Sequence, residues 1–160
     1  PIGLASPVTM RSITAAYLFA NTLVVLEVTE EVIRAALERC AEYFTLENGV
    51  PRVSDMFLRP KIEHYNYDFY AGISYIFDLR RHVGDRVVSL TLPDGSPLGA
   101  HKYRLVTSNY RATGTGGYDV LRNCRVLWRG GTEMPDLTAR YLRSHSPLYI
   151  SKHGEMHVLW

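Results

Sequence analysis

Residues 29–44 carry apolar side chains at Ile33, Ala36, Leu37, Cys40, Ala41 and Phe44, a spacing of threes and fours that lays one stripe along an α-helix. Thr29 stands where an N-cap belongs, Glu30 and Glu31 follow at the positive end of the helix dipole, and Glu30, Arg34 and Glu38 pair at i, i+4 on the polar side. Residues 22–28, just before, are rich in Val and Leu without this period, which predicts a buried strand running into the helix. A period of two takes over at Ile73, Tyr75, Phe77 and Leu79 and again at Val88, Leu90 and Leu92, predicting two further strands, the second closed by the turn Pro93-Asp94-Gly95. Residues 103–108 form another such strand and lead straight into a glycine-rich loop, residues 109–118. A second helix is expected over 132–144, with Pro135 in its first turn and Leu137, Tyr141 and Leu142 facing inward, and a last strand near 156–159. Helices and strands mix without strict alternation, so the expected class is α+β layers. Residues 45–71 obey no single local rule. They combine glycine, prolines and mixed charge with an aromatic patch at Tyr65, Tyr67, Phe69 and Tyr70, and a loop this long in a compact domain is either functional or misassigned.

With 160 residues, 46% of them hydrophobic, the chain can bury one core but not two, so residues 1–160 read as a single domain. The formal net charge of +2 is too balanced for a protein whose main partner is a nucleic acid duplex or an anionic membrane. The longest purely apolar run, Ala15 to Ala20, is far short of the roughly 18 residues that span a bilayer, so no membrane insertion is expected. Cys40 and Cys124 are the only cysteines and offer no disulfide framework. Cys40 lies on the helical stripe and reads as a buried free thiol, with a single bridge to Cys124 left open.

Chemistry is sparse by local rules. His153-Gly154-Glu155-Met156-His157 has the wrong order and no common helical face for a zinc site, and His64, His82, His101 and His145 are scattered surface positions. Neither phosphate-binding glycine fingerprint is present. Gly114-Thr115-Gly116-Gly117 still demands an account. It either serves the turn alone or lets a ligand approach the backbone, with Tyr110 offering a flat π-face. Phe19 and Asn21 pose the same choice between core packing or local hydrogen bonding and ligand contact.

The ordered set of motifs adds to this reading. Leu18-Phe19-Ala20-Asn21, Glu27-Val28-Thr29, Ala36-Leu37-Glu38, Tyr43-Phe44, Tyr65-Asn66-Tyr67-Asp68, Gly72-Ile73-Ser74-Tyr75, Val83-Gly84-Asp85-Arg86-Val87, Asn109-Tyr110-Arg111-Ala112 and Arg140-Tyr141-Leu142 resemble the C-terminal domain of the 5'-nucleotidases and 2',3'-cyclic-nucleotide 2'-phosphodiesterases, across about residues 9–157. The all-glycine loop is more similar to the cyclic phosphodiesterase and 3'-nucleotidase branch, because Gly116 stands where the 5'-nucleotidases carry Asp, and Leu18 replaces the family's Pro. The resemblance implies a four-layer α/β/β/α fold that clamps a nucleobase between the rings of Phe19 and Tyr110, with Asn21 a polar contact to the base and Asn109, Gly114, Gly116 and Gly117 completing the substrate-binding set. It further implies a substrate-recognition half of an exported nucleotide hydrolase located in the periplasm, cell wall or medium. No cofactor is expected in this chain, since the two divalent metals belong to an N-terminal metallophosphoesterase domain outside it, which would be its intramolecular partner. The isolated chain is therefore expected to be inactive. The rival reading is a free-standing nucleoside-binding or surface-interaction module without phosphatase activity.

Overall fold

Two three-stranded sheets share one apolar core, and the helix predicted from its stripe packs into it. The computed structural model describes residues 4–17, 19–149 and 156–160. In chain order the elements are α1 (Met10–Ala16), β1 (Thr22–Val28), α2 (Glu30–Ala41), β2 (Phe44–Glu47), β3 (Val50–Val53), β4 (Ser74–Asp78), β5 (Val87–Thr91), β6 (Tyr103–Ser108), α3 (Asn109–Ala112), β7 (Arg125–Glu133), α4 (Met134–Ser144) and β8 (Met156–Leu159), with short 3-10 turns at Asp55–Phe57, His64–Asn66 and Asp119–Leu121. The class is α+β, as expected. One sheet has the order β6-β1-β7, the other β5-β4-β8, and β2 and β3 form a separate hairpin. β1 is antiparallel to both neighbours, whereas β8 runs parallel to β4. Among the described residues no helix is long and apolar enough to cross a membrane.

Val24, Leu26 and Val28 of β1, Ile33, Leu37 and Cys40 of α2, and Tyr75, Phe77 and Leu79 on and beside β4 belong to the same buried cluster. Full burial of a Leu or Ile contributes about 1.5–3 kcal/mol, so the α2 stripe alone anchors the helix. One carboxylate and one guanidinium join the end of α2 to the start of β5. Glu38 accepts from the backbone N–H groups of Arg86 (3.0 Å) and Val87 (2.7 Å), and Arg86 Nη1 donates to the carbonyls of Ala41 (2.9 Å) and Phe44 (2.7 Å). Arg86 is itself buried. Its guanidinium satisfies a carbonyl of the last helical turn, which would otherwise have no partner.

The structure corrects the sequence reading at several elements. The helix ends at Ala41, not Phe44, because Phe44 opens β2 and reaches the same core from a strand. The hairpin β2–β3 and two 3-10 turns occupy part of the stretch that local rules left open. β7 was not anticipated: Arg-Val-Leu-Trp-Arg-Gly-Gly-Thr-Glu lacks alternation, and its pairing with β1 is interrupted twice by register shifts. α1 was also missed, since its capping box uses Thr9 with Ser12 rather than an acidic partner. α4 starts at Met134 and buries Ala139, while Tyr141 faces outward and stacks on His145 at 4.1 Å. Both cysteines are free thiols, Cys40 buried and Cys124 half-buried. Leu18 and residues 153–155 of the histidine motif lie outside the described residues.

Candidate functional site

A cavity of about 970 Å³ opens between the start of β1, the edge strand β6, α3 and the aromatic segment 65–71. Phe19, Asn21 and Tyr110 all line it, so two segments far apart in the chain converge on one site. Phe19 is 60% exposed and meets Tyr65 edge-on at 6.2 Å, so its ring is not a core ring. The aromatic patch that sequence rules could not place supplies a further part of the lining through Tyr65, Tyr67, Phe69 and Tyr70. Burial raises the pKa of Tyr67 and Tyr70 above the ordinary tyrosine value, so both hydroxyls stay protonated.

Asn109 does not line the cavity among the described residues. Its Oδ1 accepts from the Thr22 N–H at 3.1 Å and so ties the start of α3 to the start of β1, next to Asn21. The segment bearing Asn21 is fixed further where its carbonyl accepts from Met134 N–H at 2.9 Å. α3 begins with Ser108 as its N-cap, the hydroxyl accepting from Arg111 N–H, and this short turn projects Tyr110 into the cavity.

The residue that organises the site is Arg111, which local sequence rules passed over. It is 4% exposed, and its guanidinium donates to Asp68 Oδ2 (2.5 Å) and Oδ1 (2.9 Å), the Tyr65 carbonyl (2.8 Å), Asn66 Oδ1 (3.2 Å) and the Thr115 carbonyl (3.1 Å). These bonds occupy all five N–H donors of the side chain. Burial opposes the charge, but the hydrogen bond and charge of Asp68 outweigh it and hold the guanidinium pKa above its ordinary value. Arg111 also lies 4.4 Å from the Tyr118 ring centroid and 5.3 Å from that of Tyr110. The only sequence signal for this role was the joint occurrence of Tyr-Asn-Tyr-Asp and Asn-Tyr-Arg.

Gly114, Gly116 and Gly117 are absent from the cavity lining among the described residues. All three have positive φ. A side chain at Gly116 would collide with Arg111 Nη1 and Asn66 Oδ1, and one at Gly117 with the guanidinium of Arg39. The loop is thus built to let two arginines pass close to its backbone: Arg39 Nε donates to the Gly116 carbonyl at 3.0 Å. An Asp at position 116 has no room here. Among the described residues no group of three or more His, Cys, Asp or Glu could hold a metal ion, so no chemical step is assigned to a metal bound by this chain.

The family described as 5'-nucleotidase, C-terminal domain, matches residues 2–123. The chain belongs to the 5'-nucleotidase C-terminal domain family. A structure of a protein assigned as a 5'-nucleotidase from Staphylococcus aureus, solved with alpha-ketoglutarate, superposes with a TM-score of 0.90 at 34% identity, covering 96% of this chain and 30% of that one. The 5'-nucleotidase precursor of Thermus thermophilus gives a TM-score of 0.73 at 28% identity, covering 96% of this chain and 28% of that one. The fold is therefore that of the 5'-nucleotidase C-terminal domain, the four-layer arrangement expected from the motifs. Among curated relatives, a 2',3'-cyclic-nucleotide 2'-phosphodiesterase/3'-nucleotidase of Haemophilus influenzae is 27% identical over 86% of this chain and 23% of its own length. A trifunctional nucleotide phosphoesterase of Bacillus subtilis is 22% identical over 86% of this chain and 10% of its own length. The chain spans between 10% and 24% of the length of the curated relatives it matches.

Proposed function

We propose that this 5'-nucleotidase C-terminal domain holds the nucleobase of a nucleotide between Phe19 and Tyr110, presenting the phosphate to a hydrolytic N-terminal domain of the same protein. The observation that carries the reading is the convergence of Phe19, Asn21 and Tyr110 on one cavity, with the Phe19 ring exposed to it. Stacking on a base contributes on the order of 1–3 kcal/mol and tolerates every base, because each has a π-face. Asn21 supplies the polar contact that orients the base. Asn109 and the glycines 114, 116 and 117 support the clamp from behind, the first by tying its two segments together and the others by making room for Arg111 and Arg39. Holding the base raises the rate of phosphate chemistry by proximity as well as adding affinity. The two divalent metals of that chemistry are assigned to the N-terminal domain, and an exported location follows from the same family reading.

Association costs at least about 4 kcal/mol of lost freedom, so stacking alone leaves a small surplus and millimolar-range affinity for nucleosides. Titration of the chain with adenosine by NMR tests the reading. Chemical shifts should move around Phe19, Asn21 and Tyr110, and the Phe19→Ala, Tyr110→Ala double variant should weaken binding at least about tenfold. Undiminished binding in that variant refutes the clamp.

A further inference from the structure

The β6-β1-β7 sheet turns Val24, Leu26 and Val28 of β1 to the core, and its other face is not a polar one. Val25 pairs across the ladder with Val106 of β6 on one side and with Trp128 of β7 on the other, so three apolar side chains form a row. Two residues on, Glu27 pairs with Arg104 and with Arg125, a charged row on the same face. Val106 is 58% exposed, Trp128 52% and Leu127 40%, whereas Val25 between them is half-buried. The face is therefore hollow over β1: Val25, Arg104, Val106, Leu127 and Trp128 line a depression of about 420 Å³. Val25, Leu127 and Trp128 take no part in the larger cavity that holds the base.

Trp128 is seated on the sheet. A Cβ at Gly130 would lie 2.6 Å from Cη2 of the indole, so the ring occupies space that the glycine leaves on the same face. The charges beside it do not cancel. Lys102 Nζ donates to Glu27 Oε1 at 2.7 Å, and Arg104 and Arg125 have no ion-pair partner among the described residues. An aromatic anchor in a fixed place, an apolar floor and arginines at the rim are the make-up of a protein interface, where Trp and Arg carry much of the binding energy.

Shape and charge separate the occupants. A second copy docked through the same face would bring the same unpartnered arginines into the interface, and a lipid surface calls for apolar side chains that protrude, not for a hollow. A helix with an apolar stripe flanked by carboxylates meets both requirements. We propose that this hollow docks an acidic amphipathic helix of a partner protein, Val106, Leu127 and Trp128 gripping its apolar stripe while Arg104 and Arg125 face its carboxylates. The site stands apart from the base clamp and does not depend on it.

The test uses the full chain carrying Trp160→Phe, which leaves Trp128 as the one remaining tryptophan. Two designed helical peptides share a leucine stripe, flanked by Glu in one and by Lys in the other. The Glu peptide should shift Trp128 emission to the blue and bind at least about tenfold more tightly than the Lys peptide at low salt, the advantage shrinking as salt rises. Arg125→Glu should remove most of that preference, and Leu127→Asp should weaken both peptides at least about tenfold. Both side chains are exposed, so thermal melts and adenosine binding should hold in each variant. Absence of binding, equal affinity for the two peptides, or a preference unchanged in Arg125→Glu overturns the proposal. So does dimerisation in sedimentation that Leu127→Asp abolishes, which gives the face to a second copy, or tighter binding to phosphatidylserine vesicles than to the Glu peptide, which gives it to a membrane.

Discussion

Arg111 shows how one side chain can decide the shape of a site it does not dominate by contact with ligand. Its five donors are all satisfied by Asp68, Tyr65, Asn66 and Thr115. Arg111→Met should therefore lower stability by about 3–5 kcal/mol in urea titration, since it leaves Asp68 without its buried partner. Arg111→Lys should recover little of this, because an ammonium cannot reproduce the planar fork. Gly116→Ala should destabilise by about 2 kcal/mol or more, both through its positive φ and through the collision with Arg111 and Asn66. Cys40 gives a sharper readout. Burial pushes its thiol up to about 11, with a bond to the Tyr118 hydroxyl only partly opposing the rise. At pH 8 it stays protonated and enclosed, so a thiol reagent should label Cys124 first and Cys40 only as the chain unfolds.

At the scale of elements, the brace between α2 and β5 invites a direct measurement. Arg86→Ala removes the donor to the carbonyls of Ala41 and Phe44, and should cost about 2–4 kcal/mol while leaving ligand affinity intact. Asp78, at the end of β4, is held down to about 2 by hydrogen bonding to Arg80, below its ordinary 3.8. The pair therefore contributes fully above about pH 4, and the contribution is lost as pH falls through 2; Asp78→Asn should flatten the acid limb of a stability curve in that window. Elements governed by local periodicity are legible in the sequence: α2, β4, β5 and β6 follow from stripes and alternation, and β1 from its run of Val and Leu. β7 was not, because its place is set by backbone pairing to β1 across two irregularities and its side chains carry no alternating signal. The cavity divides in the same way. Phe19, Asn21 and Tyr110 were readable through ordered motifs, whereas the meeting of the aromatic segment with Arg111 depends on contacts across 43 positions of chain, which no local pattern encodes.

For the whole molecule, the chain alone should release no phosphate from 2',3'-cyclic AMP, 3'-AMP or 5'-AMP in the presence of Mn2+ or Co2+; turnover that follows this protein through purification would contradict the division of labour proposed above. The Arg111 link also has a consequence for how the molecule opens. It works like a clasp between α3 and the aromatic segment, so the two walls of the cavity cannot part without breaking a buried ion pair. Local opening of that segment is then tied to opening of the β6 edge, and the two should form one cooperative unit. Amide hydrogen exchange should report the same protection for residues 65–70 as for α3, despite the scarcity of regular structure in the former. In Arg111→Met the aromatic segment should exchange early and alone, while β1 and α2 keep their protection. The cavity would then lose one wall from a molecule that remains folded.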